Sequence, residues 1–239
     1  MIAHRGLARE APENTIDAFR AAVAAGATHL ETDVQLSIDG VPVLSHDPDL
    51  SRLTGADGRI DAIEAASLTA LDLGGGTGFA TLAEALAAFP DTPFNVDVKA
   101  DGAEDATARV IDAAGAADRV LIASFSARRR RRTLAGVPSA ATSASRGAVL
   151  GAVLGAALGI RALVRLALRN VDAVQVPLRY GRVPIVTRRF VYAMHAAGVE
   201  VHVWTINDVP AMRALLANGI DGIITDRCDL ARSLIDDKL

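Results

Sequence analysis

The sequence predicts an α/β fold, a (β/α)8 or TIM barrel with a small insertion after the second strand region. Three observations carry that expectation. Short β-like runs alternate with helical patterns from end to end, about eight times over. The 239 residues are an ordinary length for one barrel burying a full core as a single domain across residues 1–239. With 51% hydrophobic residues the chain is too apolar for disorder, and no fixed period supports a solenoid.

The elements follow in order. Ile2 to His4 is the first strand, and Thr15 to Ala25 carries Ile16, Phe19 and Val23 at the spacing of a helix laid on a core. Thr28 to Val34 reads as the second strand, which Val41 to Ser45 extends or pairs with. Asp49 to Gly78, rich in Gly, Asp and Thr, breaks the rhythm and reads as an insertion with little regular structure, with a small cap as the alternative. Then come helix Leu82 to Ala88, strand Phe94 to Val98, helix Ala103 to Ala114 and strand Val120 to Ser124. Helix Ala127 to Ala135 leads to a weak strand at Ala140 to Ser143 and a long helix from Gly147. Strand Val171 to Val176, helix Thr187 to Ala197 and strand Val199 to Thr205 follow. Pro210 sits in the first turn of a helix reaching Ala217, where its missing N–H costs little. Strand Ile220 to Thr225 and helix Leu230 to Ile235 close the series.

Composition excludes some functions. The 25 basic residues against 28 acidic ones, net −3, give no support to nucleic-acid binding, which shows as a basic excess. The single cysteine, Cys228, forms no intrachain disulfide, so a reducing, cytoplasmic setting is expected. The opening Met-Ile-Ala-His-Arg-Gly has no basic and apolar leader pattern, so no secretory signal is expected in it. The uncharged run Gly147 to Ile160 is 14 residues, short of the roughly 20 that a membrane span needs. It reads as a buried helix with a basic end at Arg161, Arg165 and Arg169; an interfacial helix is the sharper alternative. The tract Arg128 to Arg132 reads as a solvated first turn of a helix, with an anionic-lipid or phosphate patch as its alternative. An isologous homodimer is the commonest oligomer, although nothing in the sequence requires one.

Barrel active sites lie at the C-terminal ends of the strands. His4-Arg5-Gly6 ends the first strand, Glu31 and Asp33 share one face of the second, and His46-Asp47 follows the next run. Asp97 and Lys99 end the following strand, again two residues apart. Later strands end at Ser124, Gln175, Trp204 with Asn207, and Thr225 with Asp226. Glu31, Asp33 and Asp97 would form a dense negative cluster, costly to bury without a compensating cation. Oxygen ligands of this kind suit Mg2+ or Ca2+; pairing with Arg5 and Lys99 is the plainer account, and spacing leaves the two level. Of five histidines, His29 and His195 read as structural or surface residues, whereas His4 and His46 follow strands beside charged partners. Two such imidazoles supply a general base and a general acid near neutral pH, and Arg5 and Lys99 would neutralise a phosphate. The parts describe metal-assisted phosphoester cleavage.

At this point the sequence resembles the glycerophosphodiester phosphodiesterase family. The likeness rests on His4-Arg5-Gly6, Pro12-Glu13-Asn14-Thr15, Glu31-Thr32-Asp33, His46-Asp47 and Thr81-Leu82-Ala83-Glu84. It continues through Asn95-Val96-Asp97-Val98-Lys99, Ser124-Phe125, Trp204-Thr205-Ile206-Asn207 and Gly222-Ile223-Ile224-Thr225-Asp226. Each motif is weak alone; the ordered set is specific. The resemblance implies a barrel enzyme that hydrolyses glycerophosphodiesters to glycerol 3-phosphate and an alcohol. It implies Glu31 and Asp33 as metal ligands, His4 and His46 as the acid–base pair, and Arg5 and Lys99 as phosphate contacts. Glu13 and Asn14 match a supporting motif, and Trp204 and Asn207 a wall and a polar partner beside the substrate. The family usually has glutamate where this chain has Asp97, shorter by roughly 1.5 Å, so this ligand is expected to act through water or to draw the ion toward itself. A lysophospholipase D acting on lysolipids and a non-catalytic phosphoester-binding barrel are the alternatives. The sequence leaves open which histidine is the acid, and whether water or a glycerol hydroxyl attacks.

Overall fold

The computed structural model describes residues 1–230. Eight parallel strands form its barrel: β1 (Ile2–His4), β2 (His29–Leu36), β4 (Phe94–Val98), β5 (Val120–Ala123), β6 (Ala141–Thr142), β7 (Ala173–Pro177), β10 (Glu200–Trp204) and β11 (Gly222–Thr225). They neighbour one another in that order, and β11 returns to β1. The seam between β6 and β7 is the thinnest, closed by the Ser143–Ala173 bridge and by bonds from the Ala144 and Asp172 amides. A short strand β3 (Pro42–Leu44) pairs antiparallel with the far end of β2, which therefore runs two residues beyond its expected end. A hairpin of β8 (Arg179–Tyr180) and β9 (Val183–Pro184) stands on the C-terminal end of β7.

Local chemistry explains the helices around this sheet. Thr15 caps α1 (Ile16–Ala24), its hydroxyl accepting from the Ala18 amide, while Ala18, Phe19 and Ala22 face inward. A short α2 (Ser51–Thr54) and α3 (Ala65–Thr69) lie in the insertion. Thr81 and Glu84 form a reciprocal capping box on α4 (Leu82–Ala88). Then come α5 (Glu104–Ala113), α6 (Ala127–Gly136), α7 (Arg146–Leu158), α8 (Arg161–Ala167) and α9 (Arg188–His195). Finally α10 (Val209–Ala217) carries Pro210 in its first turn under an Asp208 cap. One core cluster under β1, β2, β4 and β5 centres on Phe19 and Phe94, packed edge to face at 5.9 Å. A second lies under β7, β10 and β11, with Met194 and Met212 fully buried.

Three expectations change. The insertion is not irregular: α2, a 3-10 turn and α3 bury Leu50, Ile60, Leu68 and Phe79 with Val43 in a satellite core of their own. The arginine tract is a partnered helix start: Arg128 and Arg129 meet Asp101, Arg132 meets Asp105, and Arg130 turns inward to Thr142 and Ser145. The long helix ends early, because Gly159 takes a left-handed conformation (φ 74°) and α8 starts separately at Arg161. Its burial is also the reverse of what its apolar composition suggests: Ala152, Gly155 and Ala156 are buried while its leucines are exposed. The helix expected over Leu230 to Ile235 lies, beyond Leu230, outside the described residues.

Candidate active site

Glu31, Asp33 and Asp97 reach the mouth because β2 and β4 run parallel in register, with Asp33 opposite Asp97 and Glu31 opposite Asn95. Lys99, just past β4, places its Nζ 2.9 Å from Asp33 Oδ1 and 2.7 Å from Asp97 Oδ2. Arg5 adopts φ 57°, a left-handed turn that lets its amide donate to the Glu31 carbonyl at 3.1 Å and to Glu31 Oε2 at 3.0 Å. Its guanidinium donates to Glu13 at 3.0 Å, and its Nε lies 3.0 Å from Asp33 Oδ2 as an ion pair, without the angle of a hydrogen bond. Asn14, also left-handed and buried, donates to Asp33 Oδ2 and accepts from the Thr32 hydroxyl. Glu13 and Asn14 therefore brace Arg5 and Asp33.

These charges are unequally compensated. Burial, reinforced by Asp33 and Asp97, pushes the Glu31 carboxyl well above its ordinary range. Burial would raise Asp33 as well, but Lys99 and Arg5 outweigh it and hold that carboxyl low. Asp97 is raised, chiefly by burial, against the pull of Lys99. Burial disfavours the Lys99 ammonium, yet Asp33 and Asp97 more than offset it and lift its pKa. Among the described residues Asp97 Oδ1 is buried without a hydrogen-bond partner.

Among the described residues no three His, Cys, Asp or Glu side chains are already gathered as a metal centre; Lys99 occupies the space between Asp33 and Asp97. The donor set nevertheless fits a hard divalent cation. Its donors would be carboxylate oxygens, one of them unpartnered among the described residues, and Glu31 is lifted by burial first and then by Asp33 and Asp97, against the opposing pull of Lys99 and Arg5.

Each predicted catalytic histidine is tied at Nδ1 to a carboxylate: His4 to Asp226 at 2.6 Å and His46 to Asp47 at 2.8 Å. Asp226 is itself fixed by Asn207, whose amide nitrogen donates to it at 2.7 Å and whose oxygen accepts from the Thr225 hydroxyl and the Asp226 amide. Asn207 thus holds the residue that orients His4. Asp47 is held by Arg52, which also donates to Glu13 at 2.6 Å. Among the described residues neither histidine's Nε2 has a hydrogen-bond partner, so each ring can turn that nitrogen to a ligand.

Trp204 stands at the mouth end of β10 with its ring edge to face against Phe125, 6.5 Å between centroids, and Lys99 Nζ lies 5.6 Å from the Phe125 ring. The sequence puts Asp47 and Asp226 at strand ends by the mouth and Phe125 in a motif of the resemblance but gives none of them a role, and it does not single out Arg52. Asp226 and Asp47 carried a signal, being acids at strand ends; Arg52, inside the insertion, carried none. Ser124 is buried and spends its hydroxyl on the Val98 carbonyl, and Gln175 lies inside the barrel beside His202. His29 opens β2 at the opposite end, and His195 closes α9 against Asp221, so both keep the structural roles expected of them.

Comparison with known proteins bears on this arrangement. The sequence pattern of the glycerophosphoryl diester phosphodiesterase family matches residues 4–230. The chain belongs to that family. It is 41% identical over 236 residues to a Mycobacterium tuberculosis protein named probable glycerophosphodiester phosphodiesterase 2, covering 98% of this chain and 89% of that one. It is 29% identical to a glycerophosphodiester phosphodiesterase of Caldanaerobacter subterraneus, covering 95% and 93%. Among solved structures, an Oleispira antarctica phosphodiesterase in complex with the product sn-glycerol-3-phosphate superposes with TM-score 0.80 at 27% identity, covering 98% and 96%. The Thermotoga maritima glycerophosphodiester phosphodiesterase superposes with TM-score 0.78 at 26% identity, covering 98% and 96%. The expected family and barrel are both borne out, and the chain is an enzyme of the glycerophosphoryl diester phosphodiesterase family.

Proposed function

We propose that this barrel hydrolyses glycerophosphodiesters to glycerol 3-phosphate and the free alcohol, with His4 and His46 as its acid–base pair. The observation that carries the reading is the matched pair of anchored imidazoles, each with its Nδ1 on a carboxylate, beside Arg5 and Lys99. With Nδ1–H donated to Asp226 or Asp47, the opposite nitrogen is the one that takes or gives a proton. One histidine removes the proton of the attacking hydroxyl, either that of water or that of the neighbouring glycerol hydroxyl by way of a cyclic phosphate that water then opens, while the other protonates the departing alkoxide. A P–O bond to the nucleophile forms as the P–O bond to the alcohol breaks, and one water is consumed overall. Arg5 and Lys99 neutralise the phosphate oxygens, and Glu13 and Asn14 keep Arg5 and Asp33 aimed. Glu31, Asp33 and Asp97 would hold a Mg2+ or Ca2+ ion, which when bound supplies Lewis-acid stabilisation of phosphoryl charge. Trp204 with Phe125 forms an apolar wall for the diester. The proposal places the enzyme in the cytoplasm, as one barrel domain that acts singly or as a homodimer on a small molecule. No helix among the described residues is long and apolar enough to cross a membrane.

Glycerol 3-phosphate release from glycerophosphocholine, measured after chelation and again with Mg2+ or Ca2+ restored, tests the reading. Product that vanishes with chelator and returns with one ion is expected. Activity that persists in the His4→Ala, His46→Ala double variant would overturn the histidine assignment. A second reading, a lysophospholipase D acting on lysolipids, is favoured by the exposed Phe125 and by the exposed Tyr180 and Val183 of the β8–β9 hairpin, also at the strands' C-terminal end. Faster turnover of lysophosphatidylcholine than of glycerophosphocholine would select it.

A further inference from the structure

The flank built by α7, α8 and α9 presents its side chains in an inverted arrangement. Glycines recur every fourth residue along α7, at positions 147, 151, 155 and 159, and leucines recur at 150, 154 and 158. A Cβ on Gly151 would meet Ala167 at 3.1 Å and one on Gly155 would meet Val164 at 2.8 Å, so the glycine face is where α8 packs. The leucines are thereby turned outward: Leu150, Leu154 and Leu158 are 49% to 66% exposed, joined by Leu166 at 70% and Tyr192 at 64%. A helix that buries glycine and exposes leucine leaves a large apolar ridge for something else to cover.

Charge identifies what covers it. Between residues 146 and 189 the chain carries eight arginines against one acid, Asp172: a local net of +7 in a chain of net −3. Beside the ridge a groove of about 240 Å³ is lined by Arg161, Arg165 and Arg189 together with Gly155, Gly159 and Tyr192. The Arg189 guanidinium lies across the α7–α8 turn, 2.6 Å from where a Cβ on Gly159 would be. All three arginines are exposed, and none makes an ion pair among the described residues, whereas Arg128, Arg129 and Arg132 of α6 meet Asp101 and Asp105. An apolar ridge with free guanidinium groups beside it matches an anionic lipid surface, with leucines and a tyrosine at the acyl boundary and arginines at headgroup phosphates. A second copy of this chain set face to face would stack arginine on arginine.

We infer that the α7–α9 flank is a peripheral docking surface for anionic phospholipid, with the Arg161, Arg165 and Arg189 groove receiving a headgroup phosphate. Flotation of the full chain with phosphatidylglycerol–phosphatidylcholine vesicles, and with phosphatidylcholine vesicles alone, tests this. Binding to the anionic vesicles that fades in high salt and is missing with pure phosphatidylcholine is expected. Each arginine near such a surface is worth about fivefold in affinity, so Arg161→Glu, Arg165→Glu should weaken binding more than about 25-fold. Leu150→Gln, Leu154→Gln, Leu158→Gln should abolish it while leaving circular dichroism and turnover of a water-soluble diester unchanged. Failure of a folded wild-type chain to float overturns the docking surface whatever the enzyme's substrate proves to be. So does a dimer in solution that Leu154→Asp dissociates without any vesicle binding, and so does stabilisation by inorganic phosphate that Arg161→Glu, Arg165→Glu removes in a chain that binds no vesicle.

Discussion

His4 and His46 make the same contact, Nδ1 to carboxylate, but the two arms that hold them are built differently. His4 sits on β1, its ring one-fifth exposed, and its Asp226 and Asn207 follow the adjacent strands β11 and β10. Every member of that arm is attached to the barrel. His46 lies beyond β3 with its side chain 39% exposed; its carboxylate is the next residue, and that is steadied by Arg52 from the insertion. The second arm therefore depends on the satellite core of Val43, Leu50, Ile60, Leu68 and Phe79. Two groups with paired roles rest on supports of unequal rigidity, and perturbations of the insertion should reach only one of them.

The largest expected effect is common to both arms. His4→Ala and His46→Ala should each lower kcat by about 10² to 10⁴, with circular dichroism unchanged; a residue whose loss leaves kcat intact is not the acid or the base. The next effect separates the arms. Asp226→Asn should cost about 10²-fold in kcat, since asparagine can present its amide to Nδ1 and invert the tautomer of the His4 ring. Asp47→Asn should cost about tenfold, because solvent reaches the more exposed His46 and can replace the lost acceptor. Equal losses would mean that the difference in support has no catalytic consequence.

Packing changes sharpen the comparison further. Leu68→Ala empties a fully buried position in the satellite core and should destabilise that core by about 2–5 kcal/mol. The expected result is reduced turnover with little change in the main thermal transition. Ile111→Ala, a cut of comparable size in the main core, should lower Tm by several degrees and spare kcat. Both sets of values come from one thermal melt and one assay per variant, and the opposite pattern would place the insertion outside the active machinery.

The eight-fold alternation was legible from hydrophobic pattern, and His4, His46, Asp33 and Asp97 because each lies at or just past the end of a β-like run; Glu31 followed from sharing the face of Asp33 two residues on. Partners brought together by folding were not legible. Asp226 is 222 residues from His4 and Arg52 is 39 from Glu13, and no periodicity links them. The orientation of α7 was hidden for another reason. Glycine and leucine are both apolar and both repeat every four residues there, so the pattern gives two faces without saying which is buried. The close approach of α8 decides it, and only glycine at 155 leaves room for Val164. The insertion reads as irregular because six glycines and four aspartates interrupt any helical or strand period, although Leu50, Ile60 and Leu68 suffice for a small core.

The smallest expected effect is on acid stability. The hydrogen bond from His4, supported by Asn207, holds the Asp226 carboxyl below its ordinary range despite partial burial. Burial would raise Asp47, but its bonds to Arg52 and His46 outweigh that and hold it low. Both folded values are depressed, so the stability these groups contribute is complete above the unfolded value of 3.8 and is lost as pH falls through the lower folded values. The urea midpoint should therefore fall on acidification below that value, and Asp226→Asn or Asp47→Asn should each reduce the fall modestly. The two anchors share no hydrogen-bonding partner, so the double variant should show the sum of the two reductions. A double variant that departs from the sum would show the arms coupled through Arg52, Glu13 and Arg5, the ion-pair path between His46 and the buried carboxylates. In that case Leu68→Ala should disturb Arg5 as well as His46, and KM for the diester would rise together with the loss in kcat.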